Sequence, residues 1–454
     1  MAIRTLLVAN RGEIAVRIIR AAKALGIRTV QAYSDADADS LAVRLADARV
    51  NIGPPHATKS YLNIARIVEA ALDSSADAVH PGYGFLAENA AFAEAVAAAG
   101  LTFVGPSAEA IRLMGDKVSA RTMAARAGVP TVPGSAGRVE DVDAARAVVA
   151  ETGFPVMIKA AAGGGGRGIR IARSMDEFER LWPQASAEAK AAFGDGGLYL
   201  ERVVENARHV EVQVLGDGRR AVHCFERECS LQRRRQKVWE EAPFAGLAED
   251  VRARLCGSAV ALAEAVGYSG AGTVEYLYDD ASGAFYFLEM NTRIQVEHPV
   301  TEMITGIDLV GEMLRIAGGE KLRFAQSDIR RNGHAIEVRL NAEDPDNDFL
   351  PGPGVVGDFR TPGGPGVRFD TMLYDGYSIP PFYDSLLGKL IVWGEDRPTA
   401  LARLRVALGE LNIGGLKTTK GLFEKLGKDA DVQAGKFHTR WLEGWLEGQA
   451  GGRQ

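Results

Sequence analysis

The sequence predicts an α/β protein, α+β over its whole length. In the first hundred residues, short apolar runs alternate with amphipathic stretches. That is the pattern of parallel strands joined by covering helices. Further along, His209–Leu215 and His334–Leu340 alternate in character residue by residue, the two-residue period of a strand. Glycines and prolines crowd residues 351–366, as expected for turns between β strands.

The elements follow in order. Leu6–Ala9 is a short apolar strand running into Asn10-Arg11-Gly12-Glu13, then an amphipathic helix from about Ile14 to Leu25. Arg28–Tyr33, Ala76–His80 and Thr102–Pro106 supply further strands. Parallel sheets hold ligands at the carboxyl ends of their strands. The loop His80-Pro81-Gly82-Tyr83-Gly84-Phe85-Leu86 is therefore either a ligand loop or a tight turn with an anchoring aromatic. A break falls near Met114–Lys117, and residues 131–140 are rich in turn formers.

Phe154–Ala160 reads as a buried strand carrying Lys159. It leads into Gly163-Gly164-Gly165-Gly166-Arg167-Gly168 and a second strand, Ile169–Ile171. No helix follows, so this is neither a P-loop nor a Rossmann turn. Glycines lacking Cβ let consecutive backbone N–H groups approach phosphate oxygens. Leu198–Val204 is a strand with a polar end. In His209–Leu215 one face carries His209, Glu211 and Gln213, the other Val210, Val212 and Val214. His209 either meets a ligand or lies on a solvated face. The run Arg233-Arg234-Arg235-Gln236-Lys237 suits phosphate, a carboxylate or plain solvation. Arg397–Leu411 reads as a helix, and Gly448–Gln454 as a frayed tail.

The densest chemistry lies at 289–297. After the apolar run Phe285–Leu288, every second residue is polar or charged: Glu289, Asn291, Arg293, Gln295, Glu297. In an extended chain these would share one face. Fully extended, Glu289 to Glu297 spans about 26 Å, too far for one reaction centre. The chain must bend after Asn291, or the two acids have separate tasks. Glu289 and Asn291, about 7 Å apart, can share an ion cluster. Thr273–Tyr278 and Ala284–Asn291 form a predicted hairpin around 279–283, placing Glu275 near Glu289. Two such carboxylates repel unless a cation lies between them, and oxygen donors beside a phosphate are a Mg²⁺ environment.

Composition sets limits. The 454 residues suffice for two to four domains and are 46% hydrophobic and 25% charged. A net charge of −6 argues against nucleic acid as the main partner. No apolar run approaches the ~20 residues that span a bilayer. The N-terminus reads as a strand rather than a signal peptide. Cys224, Cys229 and Cys256 lack metal-ligand spacing and suit a reducing cytoplasm.

Taken together, these motifs resemble biotin carboxylase, the ATP-grasp component of biotin-dependent carboxylases. The likeness runs from Ala9–Ala15 to the region near Trp441. It rests on His80–Leu86, Arg112–Lys117, the 163–168 glycine loop, Arg208–Glu211, Gln236-Lys237 and Glu289–Glu302. The resemblance implies an ATP-grasp fold: an N-terminal parallel-sheet domain (1–114), an ATP-grasp domain (115–330) with a mobile lid at about 131–204, and a β-rich C-terminal domain (331–447). It implies ATP ligation by Lys117, Lys159 and His209, with Gly163, Gly164, Gly165, Gly166 and Gly168 over the phosphates. Glu201, Arg202, Gln232 and Arg235 would border the nucleotide. Glu275, Glu289 and Asn291 would hold Mg²⁺ or Mn²⁺, two ions in all. Lys237, Arg293, Gln295 and Val296 would bind bicarbonate, and Glu297 would be the base that deprotonates it. Arg339 would steady the biotin enolate, with Tyr83 beside the same pocket. Arg17 would lie on a homodimer surface.

Two positions depart from the family pattern. Arg235 stands where histidine is common, and Arg202 where lysine is. Both keep or add positive charge, so ATP binding is expected to survive. No Met-Lys-Met biotinylation sequence is present. The carboxyl carrier protein and carboxyltransferase are therefore expected on separate chains, serving an acyl-CoA carboxylase, with acetyl-CoA the expected acceptor. The rival expectations are another ATP-grasp carboxylate–amine ligase and a catalytically silent ATP-binding protein.

Overall fold

The structure, a computed structural model, describes residues 3–135, 137–160, 170–193 and 196–451. It divides into two compact units, Met1–Val129 with Arg208–Tyr278 and Leu288–Gln454, and Pro130–Ala207 with Asp279–Phe287.

The first unit opens with a five-stranded sheet, in the order Ala48–Asn51, Arg28–Tyr33, Thr5–Val8, Ala78–His80, Thr102–Phe103. All its pairings are parallel. Helix Gly12–Ala24 buries Ile14, Val16, Ile18 and Ile19, the apolar stripe that its sequence presents. The last strand is shorter than predicted. Val104 still donates to Val79 O, but Pro106 two residues on has no N–H for a ladder.

An eight-stranded sheet carries most of the chemistry. Its order is Ala284–Asn291, Ser269–Asp279, Arg208–Asp217, Ala221–Arg233, Gln236–Ala242, His334–Asn341, Leu386–Gly394, Val367–Thr371. Its described registers are antiparallel. Toward the C-terminal end it packs Leu231, Trp239, Ile336 and Leu390 against Leu401, Leu404 and Leu408 of helix Arg397–Glu410. Gly448 to Gly451, expected to fray, continue the helix Trp441–Gly451.

Strand Ala284–Asn291 stops at Asn291. Residues 292–297 turn, and helix His298–Thr305 begins. The one-face strand thus ends at Asn291, and of the two alternatives left open by its length the chain takes the bend.

The second unit holds a three-stranded sheet, Arg170–Ala172, Val156–Ala160, Leu198–Arg202. Its core joins Val156, Ile158, Leu198 and Leu200 to Phe178 and Trp182 of helix Met175–Phe193. The strands at Val156 and Arg170 pair antiparallel. Gly163, Gly164, Gly165, Gly166 and Gly168 lie outside the described residues. Among the described residues, no helix is long and apolar enough to cross a membrane.

Candidate active site

Three neighbouring strands bring charge to one place. Glu275 stands opposite Glu211, and Glu211 opposite Arg227. Lys237, on the next strand, lies opposite Gln232. The Lys237 ammonium donates to Glu211 at 2.5 Å, Glu275 at 2.9 Å and Glu297 at 2.8 Å. Glu297 reaches this point because it caps helix His298–Thr305 by backbone alone, with no side-chain capping bond. Its second oxygen accepts from Arg339 at 3.1 Å, and Arg339 also donates to Glu240 at 2.6 Å.

The charges set one another. Burial opposes the Lys237 cation, but Glu211, Glu275 and Glu297 outweigh it and raise its pKa well above the ordinary value. Burial likewise opposes the Glu297 anion. Lys237, Arg339 and Arg227 overcome that and the repulsion from Glu211, and hold its pKa below the usual range. Glu275 is held well below, mainly by Lys237 and His209 against burial. His209 lies 3.2 Å from Glu275 and 3.4 Å from Glu211. Burial lowers its pKa, but these acids raise it to about 9.

Asn291 and Gln295 both donate to Glu275 Oε1, at 2.9 and 2.7 Å. Arg293 donates to Asn291 Oδ1 at 2.9 Å and to Glu88 at 2.8 Å. Glu289, on the same strand as Asn291, is exposed. Its pKa is raised by partial burial, then by Glu275 and Glu88. A hard cation among Glu275, Glu289 and the Asn291 amide oxygen would relieve that repulsion, so this donor set fits Mg²⁺. His209, Glu211 and Glu275 also bring candidate ligand atoms within 4.8 Å of one another.

Tyr83 lies in the predicted loop. Gly82 has φ +64°, and a Cβ there would meet Asn10 Nδ2 at 2.9 Å. Asn10 in turn donates to Pro81 O and Tyr83 O, at 2.6 and 2.7 Å. Only glycine fits this turn. The Tyr83 hydroxyl donates to Glu13, Lys389 lies 3.1 Å from Glu13, and Lys389 donates to Val296 O at 2.8 Å. Tyr83, Glu13, Phe382 and Asp384 line a cavity of about 370 Å³.

The other predicted residues are more scattered. Lys117 is exposed at the start of helix Lys117–Arg126. Gln232 is buried and donates to Cys229 O at 2.9 Å. Arg235 is exposed, in a turn where Arg234 has φ 48° and Arg235 φ 67°. Lys159 and Glu201 form an ion pair in the second unit, and Arg202 there is exposed. Arg17 donates to Glu302 at 2.8 Å and Asp308 at 2.5 Å.

Sequence reasoning missed Arg227, the residue that organises the site. It is wholly buried and donates to Glu211, Gln213, Thr273, Gln295 and Thr301. The run Glu226-Arg227-Glu228 inside the strand Ala221–Arg233 was the available signal, since all three are buried. Glu88, Glu240 and Glu337 were also missed. Glu211 was placed on its strand face without a role.

A lysine, arginines and acidic or amide oxygens converge on one patch of an antiparallel sheet that follows a parallel N-terminal domain. That is an ATP-grasp ligase. Residues 116–325 match the carbamoyl-phosphate synthase L chain, ATP binding domain. Residues 2–111 match the biotin carboxylase N-terminal domain, and 337–444 the biotin carboxylase C-terminal domain. The chain is 53% identical to the biotin carboxylase of Nostoc sp., over 96% of this chain and 98% of that one. It is 55% identical to the biotin carboxylase of Pseudomonas aeruginosa, over 96% and 97%. Among solved structures, the biotin carboxylase domain dimer of Hydrogenobacter thermophilus 2-oxoglutarate carboxylase, in complex with MgADP, ADP and bicarbonate, superposes with TM-score 0.86 at 49% identity, covering 98% of each chain. Biotin carboxylase of Campylobacter jejuni, in a β-γ-ATP complex, superposes with TM-score 0.88 at 47% identity, over 97% and 98%. The biotin carboxylase component of a pyruvate carboxylase superposes with TM-score 0.90 at 48% identity, covering 98% of each chain. The chain belongs to the biotin carboxylase family.

Proposed function

We propose that this chain carboxylates the ureido nitrogen of biotin, on a separate carrier protein, using ATP and bicarbonate. One observation carries the assignment of roles: Glu297 is a buried carboxylate held between Lys237 and Arg339. Bicarbonate lies among Lys237, Arg293, Gln295 and the Val296 backbone. Being an anion, it draws Lys237 and Arg293 to itself. With less positive charge beside it, the Glu297 carboxylate becomes more basic and takes the bicarbonate proton. The deprotonated oxygen attacks the γ-phosphorus, and the bond to the β-phosphate oxygen breaks, giving carboxyphosphate and ADP. Carboxyphosphate separates into CO₂ and phosphate. The released phosphate takes the proton of the ureido nitrogen, which forms the N–C bond to CO₂, while Arg339 stabilises the negative charge on the ureido oxygen.

Glu275, Glu289 and Asn291 would hold Mg²⁺, which supplies charge neutralisation at the phosphates. Lys117, Lys159 and His209 bind the nucleotide phosphates, with Glu201, Arg202, Gln232 and Arg235 at its borders. The division is 1–114, 115–330 and 331–447, with a lid at about 131–204 that excludes water from the reactive intermediate. Support comes from the family matches, whose limits fall close to these, and from the second compact unit, which spans nearly the lid residues. Arg17 belongs to a homodimer surface. The chain works in a reducing cytoplasm, consistent with three free, buried cysteines.

The carboxyl goes on to an acyl-CoA, acetyl-CoA in our reading, through a separate transferase. Some relatives are named for pyruvate and 2-oxoglutarate carboxylases. The biotinylated protein and the transferase that co-purify with the chain decide the acceptor; a pyruvate- or 2-oxoglutarate-specific transferase overturns the acyl-CoA reading.

The test of the chemistry is ADP release dependent on both bicarbonate and free biotin. Glu297→Gln is expected to lose about 10²-fold or more in that rate while still binding ATP. An unaltered rate removes Glu297 as the base. ADP release indifferent to biotin favours a carboxylate–amine ligase instead.

A further inference from the structure

Behind Arg339 lie two acids that the chemistry above does not use. Glu240 and Glu337 face each other directly across adjacent strands, and both are completely buried. Among the described residues, neither oxygen of Glu337 has a hydrogen-bond partner. Glu240 uses only one oxygen there: Oε1 accepts from Arg339 Nε at 2.6 Å and lies 2.5 Å from Nη2, while Oε2 is unpartnered. An unpartnered buried carboxylate is costly unless it carries a proton. Arg339 is thus shared between Glu240 and the proposed base, Glu297, at 3.1 Å.

We propose that Glu240, backed by a neutral Glu337, is a positioning residue for Arg339. As a carboxylate it holds the guanidinium ready for the biotin ureido oxygen; once protonated on its free oxygen, it releases Arg339 to Glu297. The inference rests on Arg339 contacting biotin.

The surroundings agree. Burial is the largest influence on Glu240 and raises its pKa; Arg339 opposes, Glu297 adds to the rise, Lys237 opposes, and the value reaches about 7. Cys229, on the preceding strand, is a thiol whose pKa burial pushes well up, so it stays uncharged. Burial raises the Glu337 pKa well above normal; Lys389 and Arg339 do not overcome it, and Glu240 and Glu297 add to it. Glu337, buried with neither oxygen partnered among the described residues, is the neutral acid of the pair, and Glu240 is the one that changes charge near pH 7. The switch is a proton exchanged with solvent and needs no other reactant.

The experiment uses the full chain with free biotin as acceptor. In the native protein, kcat/KM for biotin is expected to fall as pH drops below about 7, with KM for ATP nearly constant. Glu240→Gln is expected to raise the biotin KM about tenfold, the size of one charge-assisted hydrogen bond, to remove that acid limb, and to leave KM for ATP within about twofold. Glu240→Asp is expected to restore the limb in part, which a merely structural role would not do. Glu337→Gln, an isostere of the neutral acid, is expected to behave as the native protein at pH 7. An unchanged biotin KM and acid limb in Glu240→Gln overturns the proposal; if that variant does not fold, the absence of the limb in the native protein overturns it equally. An Arg339→Met variant that keeps the native biotin KM instead brings down the reading on which the inference rests.

Discussion

Two lysines of this chain live in opposite circumstances. Lys237 is buried in the eight-stranded sheet and meets three carboxylates, with Arg227 and Arg339 bonded to two of the same acids. Lys159, in the second unit, pairs with one acid among the described residues, Glu201, and about a third of its side chain is exposed. The buried set is a mutual arrangement. Each charge is tolerable only because its neighbours are present, and removing one member strands the others. The half-buried pair has water as an alternative partner, so it costs little to separate and its lysine can turn to a ligand.

The comparison predicts its largest effect at Arg227. This guanidinium has no exposure and donates to five side chains, from the two strands Arg208–Asp217 and Ser269–Asp279, the turn before helix His298–Thr305 and that helix itself. Arg227→Met should destabilise the chain by about 3–5 kcal/mol, the cost of a broken buried ion pair, as read by denaturant unfolding. A loss below about 1 kcal/mol would mean that the cluster tolerates stranded charge, and the contrast with Lys159 would collapse.

A carboxylate with fewer cations sharpens the argument from within the same sheet. Glu228 is buried with Arg208 as its ion-pair partner at 2.7 Å. Burial outweighs Arg208, Glu241 adds repulsion, and the pKa is pushed up to about 7. Glu275, equally buried but beside Lys237 and His209, goes the other way. A raised acid contributes its stability below its unfolded pKa and loses it as pH rises through the folded value. Ionisation of Glu228 should therefore cost the native protein stability between about pH 4.5 and 7. Glu228→Gln should remove that decline, closing on or passing the native protein by a few kcal/mol at most by pH 7. Parallel stability curves for the two proteins would show that one cation suffices after all.

The sequence made the sheet-forming periods plain, because strand alternation and strand–helix alternation are local signals. Ala284–Asn291 and Arg28–Tyr33 agree with the structure residue for residue. The bend after Asn291 was one of two alternatives legible from chain length alone, a limit independent of packing. What the sequence hid was partnership across strands. Glu211 and Arg227 are 16 residues apart in the chain but opposite in register. Nothing in the pattern of either strand fixes that register. Glu337 reads locally as an ordinary polar strand residue, and only the neighbouring strands bury it. His209 was undecided between a solvated face and a site; the sheet removes the solvated face, because both faces of its strand are buried.

The smallest structural effect should come at Lys159. Its ion pair with Glu201 joins adjacent strands of a small sheet, Lys159 standing beside Tyr199 and Glu201 beside Met157 in register. Solvent reaches both side chains, so the bond should contribute no more than about 1 kcal/mol. Lys159→Met should thus unfold within that margin of the native protein. Its effect should fall on the nucleotide, since removing a phosphate-binding cation weakens ground-state and transition-state binding together. That raises KM for ATP with kcat less affected. The two readouts separate cleanly. A large stability loss with an unchanged ATP KM would make Lys159 a structural residue and remove the distinction between the two lysines. A raised KM with native stability would place the strand-borne cation of the second unit in ligand binding, and leave the fixed, mutually compensated charges to the eight-stranded sheet.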